Sequence, residues 1–442
     1  MSTATAWEAY LRQARWFGGK GLATSVTAIE PMPWYTAPGQ WPAVRSEIAR
    51  ISYADGRIEH YQLLVAYLAP GSAPAGLPVG RTRLDDLGEV EFVDAPAYPP
   101  AMTALIGALL SVPPTGMDWL NTAPVDAAAA MRLFTGEQSN TTVMVGDATL
   151  FKLFRKLEPG RNLDAEVLRA LSGSGITPDL YGVLDEGGYD LAMFCQRVQG
   201  VTDGWLHATA ACAAGTDISA ECRQLGAELA DLHRRMVTAF GTAELPGTEL
   251  AAAMLRRFDA AAVQVGELED YRQAAQLLFG SAGSGSLSTQ RVHGDFHLGQ
   301  VLYRESDHSW VIIDFEGEPL KTLAERRELD TVWRDVAGLL RSLDYARSAH
   351  PDPDSHAARE WCAKAGEAFL DGYAGQHREE PALLRAYQLD KAVYEVVYEM
   401  RNRPDWAHIP WRAVQDEARR VSLNPPAPSD KEQSWHTTWQ AS

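Results

Sequence analysis

Two short runs of strand-forming residues, each next to an aspartate, constrain the fold of this chain most strongly. Residues 300–303 read Gln-Val-Leu-Tyr and residues 310–313 read Trp-Val-Ile-Ile, with the polar segment 305–309 between them. β-branched and aromatic residues on both sides of a polar turn predict an antiparallel hairpin. Asp295 precedes the first strand and Asp314 follows the second. The hairpin therefore has a carboxylate at its entry and another at its exit.

Two carboxylates placed in this way suit phosphoryl transfer. The reaction needs one carboxylate to orient the attacking hydroxyl and accept its proton, and another to hold Mg²⁺ against the triphosphate of ATP. Asp295 is the candidate for the first role and Asp314 for the second. Gln300 stands five residues after Asp295, where protein kinases place a metal-binding Asn, and its side-chain carbonyl suits the same task. We therefore predict Asp295 as the catalytic base, Gln300 and Asp314 as metal ligands, and ATP with Mg²⁺ as cofactors.

A metal hydrolase is the alternative reading of the same segment. His293, Asp295 and His297 alternate along the chain, and such residues can converge on one ion. Asp314 and a lysine upstream, Lys152, argue against this alternative. We expect His293 to bond backbone near Asp314 and so hold the loop.

The residues around this hairpin resemble a known family. His293-Gly-Asp295 with Gln300 and Asp314-Phe-Glu316 is similar to the catalytic core of aminoglycoside phosphotransferase-type kinases, the small-molecule branch of the protein-kinase-like fold. Longer phrases resemble the actinobacterial maltokinases and the related glucosamine kinases, namely residues 292–302, 312–319, 334–338 and 391–399. The resemblance runs from Trp16 to about Trp411. It implies an α+β, bilobal protein-kinase-like fold with an N-terminal β-rich cap subdomain.

The chain is then expected to contain three parts. Residues 1–95 form the cap, residues 96–200 an intermediate subdomain with the ATP-covering loop and hinge, and residues 201–442 a helical lobe with the catalytic and acceptor sites. Ala54-Asp-Gly56, between two strand-like runs, predicts a tight hairpin in the cap. The stretch Trp16-Phe-Gly-Gly-Lys-Gly21 lacks the spacing of a P-loop, and we interpret it as a turn anchored by its aromatic residues. Residues 280–286 are rich in Gly and Ser and predict a flexible loop.

Lys152 is the main candidate for binding the phosphates of ATP. It lies inside the apolar run Leu150–Phe154, and a buried lysine needs an anionic partner. The α/β-phosphates are one candidate, and an acid on the helix predicted over residues 162–171 is another. The family position favours Glu166, with Asp164 as the second choice. The alternative without a role in nucleotide binding is a lysine that extends to solvent from an edge strand.

Two further segments are assigned to the nucleotide by their position in the family. Ser139, Asn140 and Thr141 lie in the loop that would cover the phosphates, and would offer backbone N–H groups and hydroxyls. Without Lys152 after it, this cluster would be read as a plain hairpin turn. Gln196 and Val198 lie at the expected hinge, where their backbone would bond the adenine edge.

The acceptor site is predicted from the last third of the chain. Lys391, Glu395 and Glu399 share one stripe of a helix, which is ordinarily a solvated face. Leu232-His233 resembles the Leu-His pair that closes the corresponding helix in the family, and His233 is taken as a packing residue. Where the maltokinases read Pro-Asp-Ser-Pro-Leu, this chain has an extra acid and a tryptophan in residues 328–333. The residues assigned to the acceptor are Glu316, Asp330, Trp333, Glu399 and Trp406.

An acidic pocket formed by these residues, with Glu318, favours an ammonium-bearing substrate. Glucosamine phosphorylated at its 6-hydroxyl is therefore the first candidate. Maltose, giving maltose 1-phosphate, is the second and an aminoglycoside the third. From another class, the chain would be a pseudokinase or regulatory sugar-binding module, but a non-catalytic binder has no need of Lys152, Asp295 and Asp314 together.

Composition excludes several other classes. The net charge of −18 argues against a nucleic-acid partner, because phosphate backbones recruit Lys and Arg. The four cysteines have no Cys-x-x-Cys spacing, and the N-terminus lacks a signal pattern. The longest apolar runs fall short of 18 residues, so we expect no membrane contact and a cytoplasmic location. We expect a monomer or weak homo-oligomer and a mobile tail from residue 425.

Overall fold

The computed structural model describes residues 2–111, 117–120, 125–134, 136, 139–318, 321–374 and 382–423. The chain divides into two compact units, Met1–Gln199 and Gly200–Ser442. The division falls beside residue 201, where the sequence predicts the start of the helical lobe. The tail predicted from residue 425 lies outside the described residues.

The first unit begins with a helix that packs on an antiparallel sheet. These elements are α1 (Thr3–Leu11), β1 (Thr24–Trp34), β2 (Ala43–Tyr53), β3 (Ile58–Leu68), β4 (Gly80–Leu84) and β5 (Gly88–Asp94). The strands pair in the order β1-β2-β3-β5-β4. The predicted hairpin is confirmed, since Gly56 lies between β2 and β3 with a φ of 87°, which Asp-Gly turns require. The buried ring of Trp7 lies 5.5 Å from that of Phe92, so α1 shares the core of this sheet.

The glycine-rich turn after α1 is anchored by its aromatic residues, as predicted. The rings of Phe17 and Tyr61 lie 5.1 Å apart, and the guanidinium of Arg155 lies 4.2 Å from the Trp16 ring. A Cβ on Gly19 would lie 2.6 Å from the Phe17 ring, so a larger residue would displace that ring. The glycine here lets the turn fold against its own side chains.

A second sheet in the first unit carries the elements predicted to bind the nucleotide. The remaining elements of this unit are α2 (Pro99–Ser111), β6 (Met117–Trp119), β7 (Met131–Leu133), β8 (Thr141–Val145), β9 (Thr149–Leu153), β10 (Lys156–Leu157), α3 (Leu163–Leu171), β11 (Leu180–Glu186) and β12 (Tyr189–Gln196). The second sheet has the order β6-β11-β12-β9-β8-β7. Asn162 caps α3, because its side chain accepts hydrogen bonds from the backbone N–H groups of Asp164 and Ala165.

One buried arginine joins the two sheets of the first unit. Strand β9 of the second sheet ends two residues before Arg155, and β10, directly after it, pairs with β3 of the first sheet. Arg155 is fully buried, and its guanidinium contacts the Asp94 carboxylate at 2.6 and 3.0 Å. Its Nε also donates to Thr141 Oγ1 at 2.8 Å. Because a buried charge is stable only when it is paired and hydrogen-bonded, this cluster fixes the two sheets together.

The second unit is mainly helical, as predicted. Its helices are α4 (Gly204–Ala214), α5 (Ser219–Phe240), α6 (Gly247–Gln264), α7 (Arg272–Ala282), α8 (Leu323–Arg327), α9 (Trp333–Ala346), α10 (His356–Ala374), α11 (Ala382–Asn402) and α12 (His408–Leu423). Among the residues that the structure describes, no helix is both long and apolar enough to cross a bilayer.

Short strands of the second unit frame the predicted catalytic segment. They are β13 (Val201–Asp203), β14 (Thr242–Pro246), β15 (Ser286–Gln290), β16 (Val301–Arg304) and β17 (Ser309–Ile312). Strands β16 and β17 form the predicted hairpin, with Val301 opposite Ile312, and β13 pairs with β16. The loop predicted over 280–286 is shorter than expected, because α7 continues to Ala282 and β15 begins at Ser286.

Candidate active site

The catalytic loop, residues 291–300, connects β15 to β16, and a buried histidine holds it in place. His293 Nε2 lies 3.0 Å from the carbonyl oxygen of Ile313, the residue before Asp314. His293 Nδ1 accepts from the backbone N–H of Asp295 at 3.4 Å. Both ring nitrogens therefore engage backbone, as the sequence predicts for a loop-holding residue. The hydrolase alternative needs His293 as a metal ligand, and this geometry argues against it.

Asp335, in the first turn of α9, holds the same loop from the opposite side. This fully buried carboxylate accepts hydrogen bonds from the backbone N–H groups of His293 at 2.8 Å and Gly294 at 2.9 Å. It also lies 2.9 Å from His233 Nε2, and His233 Nδ1 lies 2.8 Å from the Tyr373 hydroxyl. Burial alone would raise the pKa of Asp335, but the His233 hydrogen bond and the nearby histidines lower it.

These contacts revise one expectation. His233 was taken as a packing residue, and it is a hydrogen-bonding partner of Asp335. The Leu-His pair at 232–233 was the available signal for this role.

A glycine one turn along α9 lets the helix approach the catalytic loop closely. A Cβ placed on Gly338 would lie 2.4 Å from the carbonyl oxygen of Phe296, the residue after Asp295. Real side chains do not tolerate this distance, so the loop and the helix touch backbone to backbone. This close contact explains why a glycine follows Arg334-Asp-Val-Ala.

The hairpin brings the two predicted metal ligands together. Gln300 Nε2 donates to Asp314 Oδ2 at 3.2 Å. The backbone N–H of Ile313 donates to the backbone carbonyl oxygen of Gln300 at 3.0 Å. Asp314 has a φ of 65°, in the left-handed region that Asp tolerates better than most residues. The Gln300 amide nitrogen faces Asp314 here, and rotation of the amide would present its carbonyl oxygen instead. A carboxylate and an amide carbonyl are hard oxygen donors, which suit Mg²⁺. The residues therefore fit the predicted metal.

Asp295 is in contact with a lysine that the sequence did not assign to the site. Lys391 Nζ, on α11, lies 3.2 Å from Asp295 Oδ1 and 3.2 Å from Glu318 Oε1. Glu318 also contacts Arg334 Nη2 at 2.9 Å and Lys321 Nζ at 3.3 Å. Burial alone would raise the pKa of Glu318, but the three cations hold it far below its usual range. The polar stripe on this helix was the signal for Lys391.

The acidic pocket expected for the acceptor is largely neutralised by cations of the same unit. Glu399 is buried and lies 2.7 Å from Arg403 and 3.2 Å from the Tyr345 hydroxyl. Asp330 lies 3.1 Å from Arg334 and also accepts from the hydroxyl of Tyr387. Together with the cations around Glu318, these pairs weaken the argument that excess negative charge selects an ammonium group.

The other predicted acceptor residues lie in separate places. Trp406 stacks on Tyr345 with ring centres 6.2 Å apart, and so joins the cluster of Glu399. Trp333 instead packs edge-on against Tyr373 at 6.0 Å. The carbonyl of Glu316 accepts from Arg326 Nη1 at 3.1 Å. The structure therefore unites Glu399 with Trp406, while Trp333 packs beside the residue that contacts His233.

A pair of tyrosines next to Lys391 was missed in the sequence. Tyr394 and Tyr398 follow it on α11 and stack with ring centres 6.3 Å apart and an angle of 22° between them. Tyr398 is 40% exposed, and the Lys391 ammonium lies 5.3 Å from the Tyr394 ring. The four-residue spacing, which places two side chains on one helix face, was the signal for this platform.

In the first unit, Lys152 has the anionic partner that its burial requires. Lys152 Nζ lies 2.7 Å from Asp164 Oδ2, and both side chains are largely buried. Strand β9 holds the lysine opposite Met193 of β12. The sequence placed Glu166 first and Asp164 second, and the structure brings Asp164 against the lysine. Glu166 lies two residues further along the first turn of α3.

The side chains of the predicted phosphate-covering loop hold Arg155. Asn140 Oδ1 accepts from the Arg155 backbone N–H at 3.0 Å, and Thr141 Oγ1 accepts from its Nε. Both residues are buried, whereas Ser139 is exposed. The phosphate role predicted for this loop therefore depends on backbone N–H groups and on Ser139.

Part of the backbone at the predicted hinge is already bonded to neighbouring segments. The N–H of Gln196 donates to the carbonyl of Asp179 at 2.8 Å, and that of Arg197 donates to Ala148 at 2.9 Å. The Gln196 N–H is therefore already used by the second sheet. The adenine contact predicted here would fall to the Gln196 carbonyl and the backbone of Val198.

Fold and site together define a phosphotransferase. Residues 130–388 match the family described as "Phosphotransferase enzyme family", which is more than half of the chain. The chain therefore belongs to this family.

Within it, two curated relatives are glucosamine kinases. That of Streptacidiphilus jiangxiensis is 28% identical over 345 residues, covering 66% of this chain and 77% of the relative. That of Mycolicibacterium smegmatis (strain ATCC 700084 / mc(2)155) is 26% identical over 319 residues, covering 65% and 79%. A solved glucosamine kinase in complex with glucosamine, ADP and inorganic phosphate matches with a TM-score of 0.65 at 21% identity, covering 96% of this chain and 100% of that one. This match confirms the predicted fold.

Proposed function

We propose that this chain is an ATP- and Mg²⁺-dependent kinase that phosphorylates the 6-hydroxyl of glucosamine. The observation that carries the reaction is the hairpin geometry, in which a clamped loop presents Asp295 and the strand ends bring Gln300 to 3.2 Å from Asp314. The two curated relatives support the choice of acceptor.

The residues of the second unit would perform the transfer. Asp295 orients the acceptor hydroxyl and accepts its proton, while Gln300 and Asp314 hold the metal. Mg²⁺ supplies charge neutralisation at the phosphates when it is bound. His293 and Asp335 fix the loop, so that Asp295 keeps its position during the reaction.

The residues of the first unit would bind the nucleotide. Lys152 contacts the phosphates and is itself oriented by Asp164, with Glu166 as a second acid on the same helix turn. Ser139 and the backbone of Asn140 and Thr141 cover the phosphates. The Gln196 carbonyl and Val198 backbone would contact adenine.

The sugar would be bound by aromatic and hydrogen-bonding residues of the second unit. Aromatic faces stack on the apolar face of a pyranose, and the platform of Tyr394 and Tyr398 stands next to the lysine that touches Asp295. Hydrogen bonds and further stacking are proposed for Glu316, Asp330, Glu399 and Trp406, whereas Trp333, which packs edge-on against Tyr373, is left out of the proposed acceptor site.

The choice of the 6-hydroxyl is carried over from the glucosamine kinases that the sequence resembles, and identification of the product tests it.

The test measures the release of ADP from ATP with glucosamine, maltose, glucose or kanamycin as the acceptor. The phosphorylated product is identified by NMR. We expect turnover with glucosamine and phosphorus coupling at carbon 6. Activity confined to maltose would refute the proposed acceptor. Coupling at carbon 1 would refute the proposed hydroxyl.

Asp295→Asn tests the role of the base. The variant keeps the size of the side chain but cannot accept the proton, and we expect turnover to fall by about 10²- to 10⁴-fold. The KM for ATP should change little, because Lys152 and the hinge remain. Wild-type turnover in this variant would show that Asp295 is not the base.

A further inference from the structure

We propose that Lys391 is a positioning residue for Asp295. Its ammonium group binds one oxygen of the Asp295 carboxylate, so that the other oxygen faces the acceptor hydroxyl. This inference rests on the proposed function, in which Asp295 is the base. It assigns a role in the transfer to a helix residue that is 96 positions away in the chain.

Among the residues that the structure describes, only one oxygen of the Asp295 carboxylate accepts a hydrogen bond. Lys391 Nζ lies 3.2 Å from Oδ1, whereas Oδ2 lies 4.0 Å from His297 Nε2. A carboxylate held at one oxygen cannot rotate freely about its terminal torsion. Oδ2 is therefore the oxygen available to take a proton.

Lys391 is itself fixed by a chain of contacts that returns to the catalytic loop. Its ammonium lies 3.2 Å from Glu318, and Glu318 lies 2.9 Å from Arg334. Arg334 Nε donates to the carbonyl of Gly294, the residue before Asp295, at 3.1 Å. One network thus holds both the backbone and the side chain of the base.

The surroundings of Lys391 keep it charged. Burial alone would lower its pKa, but the carboxylates of Asp295, Glu318 and Glu395 raise it above the ordinary lysine value, against the opposing charge of Arg334. The ring of Tyr394 also faces the ammonium. A permanently charged donor gives the carboxylate a fixed partner at every pH at which the enzyme would work.

The test is a double-mutant cycle with Lys391→Met and Asp295→Asn. A residue that acts only through Asp295 matters only while that carboxylate is present. We expect Lys391→Met to lower kcat by about 10²-fold in the wild-type background, the loss typical of a misplaced catalytic group, with the KM for ATP unchanged. In the Asp295→Asn background the same change should leave the residual rate as it is. Lys391→Arg should restore part of the lost activity.

Arg257→Met is the matched control. Two nitrogens of Arg257 donate to the carboxylate of Asp390, the residue before Lys391 on α11, at 2.8 and 3.1 Å. This variant therefore also removes a cation that binds α11. It should lower the unfolding temperature without the loss of kcat. Lys391→Gln replaces the Met variant if the latter does not fold.

The outcomes separate the two proposals. Wild-type turnover in Asp295→Asn would refute the base assignment itself. An inactive Asp295→Asn together with a fully active Lys391→Met would refute only the role of Lys391. An equal fold-loss from Lys391→Met in both backgrounds would show a purely structural role and would also overturn the inference.

Discussion

Glu228 should make the second unit less stable as the pH rises towards neutrality. This buried glutamate of α5 accepts from the backbone N–H of Trp310 on β17 at 2.8 Å and from the Gln224 amide at 2.8 Å. Burial raises its pKa to about 7, and the hydrogen bonds from Gln224 and Trp310 only partly oppose this. Asp307 adds to the rise and Arg304 opposes it.

The sign and size of this effect on the free energy of unfolding follow from thermodynamic linkage between protonation and folding. Because the folded state holds the proton of Glu228 to about pH 7 and the unfolded state releases it near 4.5, the contribution of Glu228 to stability is greatest at low pH. The contribution is lost as the pH rises from about 4.5 to about 7, and then stays level. At about 1.4 kcal/mol for each pH unit, the loss is about 3 kcal/mol.

Glu228→Gln removes this titration without removing the contacts. The Gln carbonyl can accept from Trp310, and its amide can donate to the Gln224 carbonyl once that side chain turns over. Wild type and variant should have similar stability at pH 5. At pH 8 the variant should be more stable by up to about 3 kcal/mol, which raises the unfolding temperature by roughly 6–12 °C in a domain of this size.

The assay is thermal unfolding of both proteins at pH 5, 6, 7 and 8, followed by tryptophan fluorescence. Glu249→Gln, at an exposed position on α6, is the control for loss of a negative charge. A difference between Glu228→Gln and wild type that stays constant from pH 5 to pH 8 would refute the reasoning.

Three further outcomes are expected. Arg155→Met should destabilise the first unit by about 3–5 kcal/mol, because it leaves the buried carboxylate of Asp94 without its cation; thermal unfolding measures this, and an unchanged unfolding temperature would contradict it. Gly338→Ala should reduce turnover by about 10²-fold, because the added methyl group displaces the Phe296 carbonyl and with it the catalytic loop. A wild-type kcat in this variant would show that the contact with α9 does not hold the loop. Removal of Mg²⁺ with EDTA should abolish glucosamine-dependent ADP release and its return should restore it, whereas metal-independent turnover would exclude the proposed role of Gln300 and Asp314.

The parts of the fold that could be predicted from sequence are those encoded locally. The β16–β17 hairpin follows from residues that are next to one another, and so does the helix that Asn162 caps. Lys152 needed an anionic partner on physical grounds. The family position favoured Glu166 over Asp164, and the contact between Lys152 and Asp164 became visible only in three dimensions, because both acids lie in the first helical turn.

The parts that could not be predicted depend on distant residues. Arg155 meets Asp94 across 61 positions and Lys391 meets Asp295 across 96, and no local pattern links either pair. The acidic acceptor pocket was inferred by counting carboxylates, and the cations that neutralise them come from other segments. Arg403 is the exception, since its spacing of four residues from Glu399 was readable as an ion pair.

The arginine that joins the two sheets of the first unit means that the N-terminal 95 residues are not a removable module. A protein shortened to begin at residue 96 would lose Asp94 and the Trp16 ring, and would leave the guanidinium of Arg155 without its carboxylate partner and its aromatic contact. Strand β10 would lose its partner strand in the first sheet, since it pairs there with β3. Swapping this region between relatives would therefore require residues 16, 94 and 155 to be exchanged as one set.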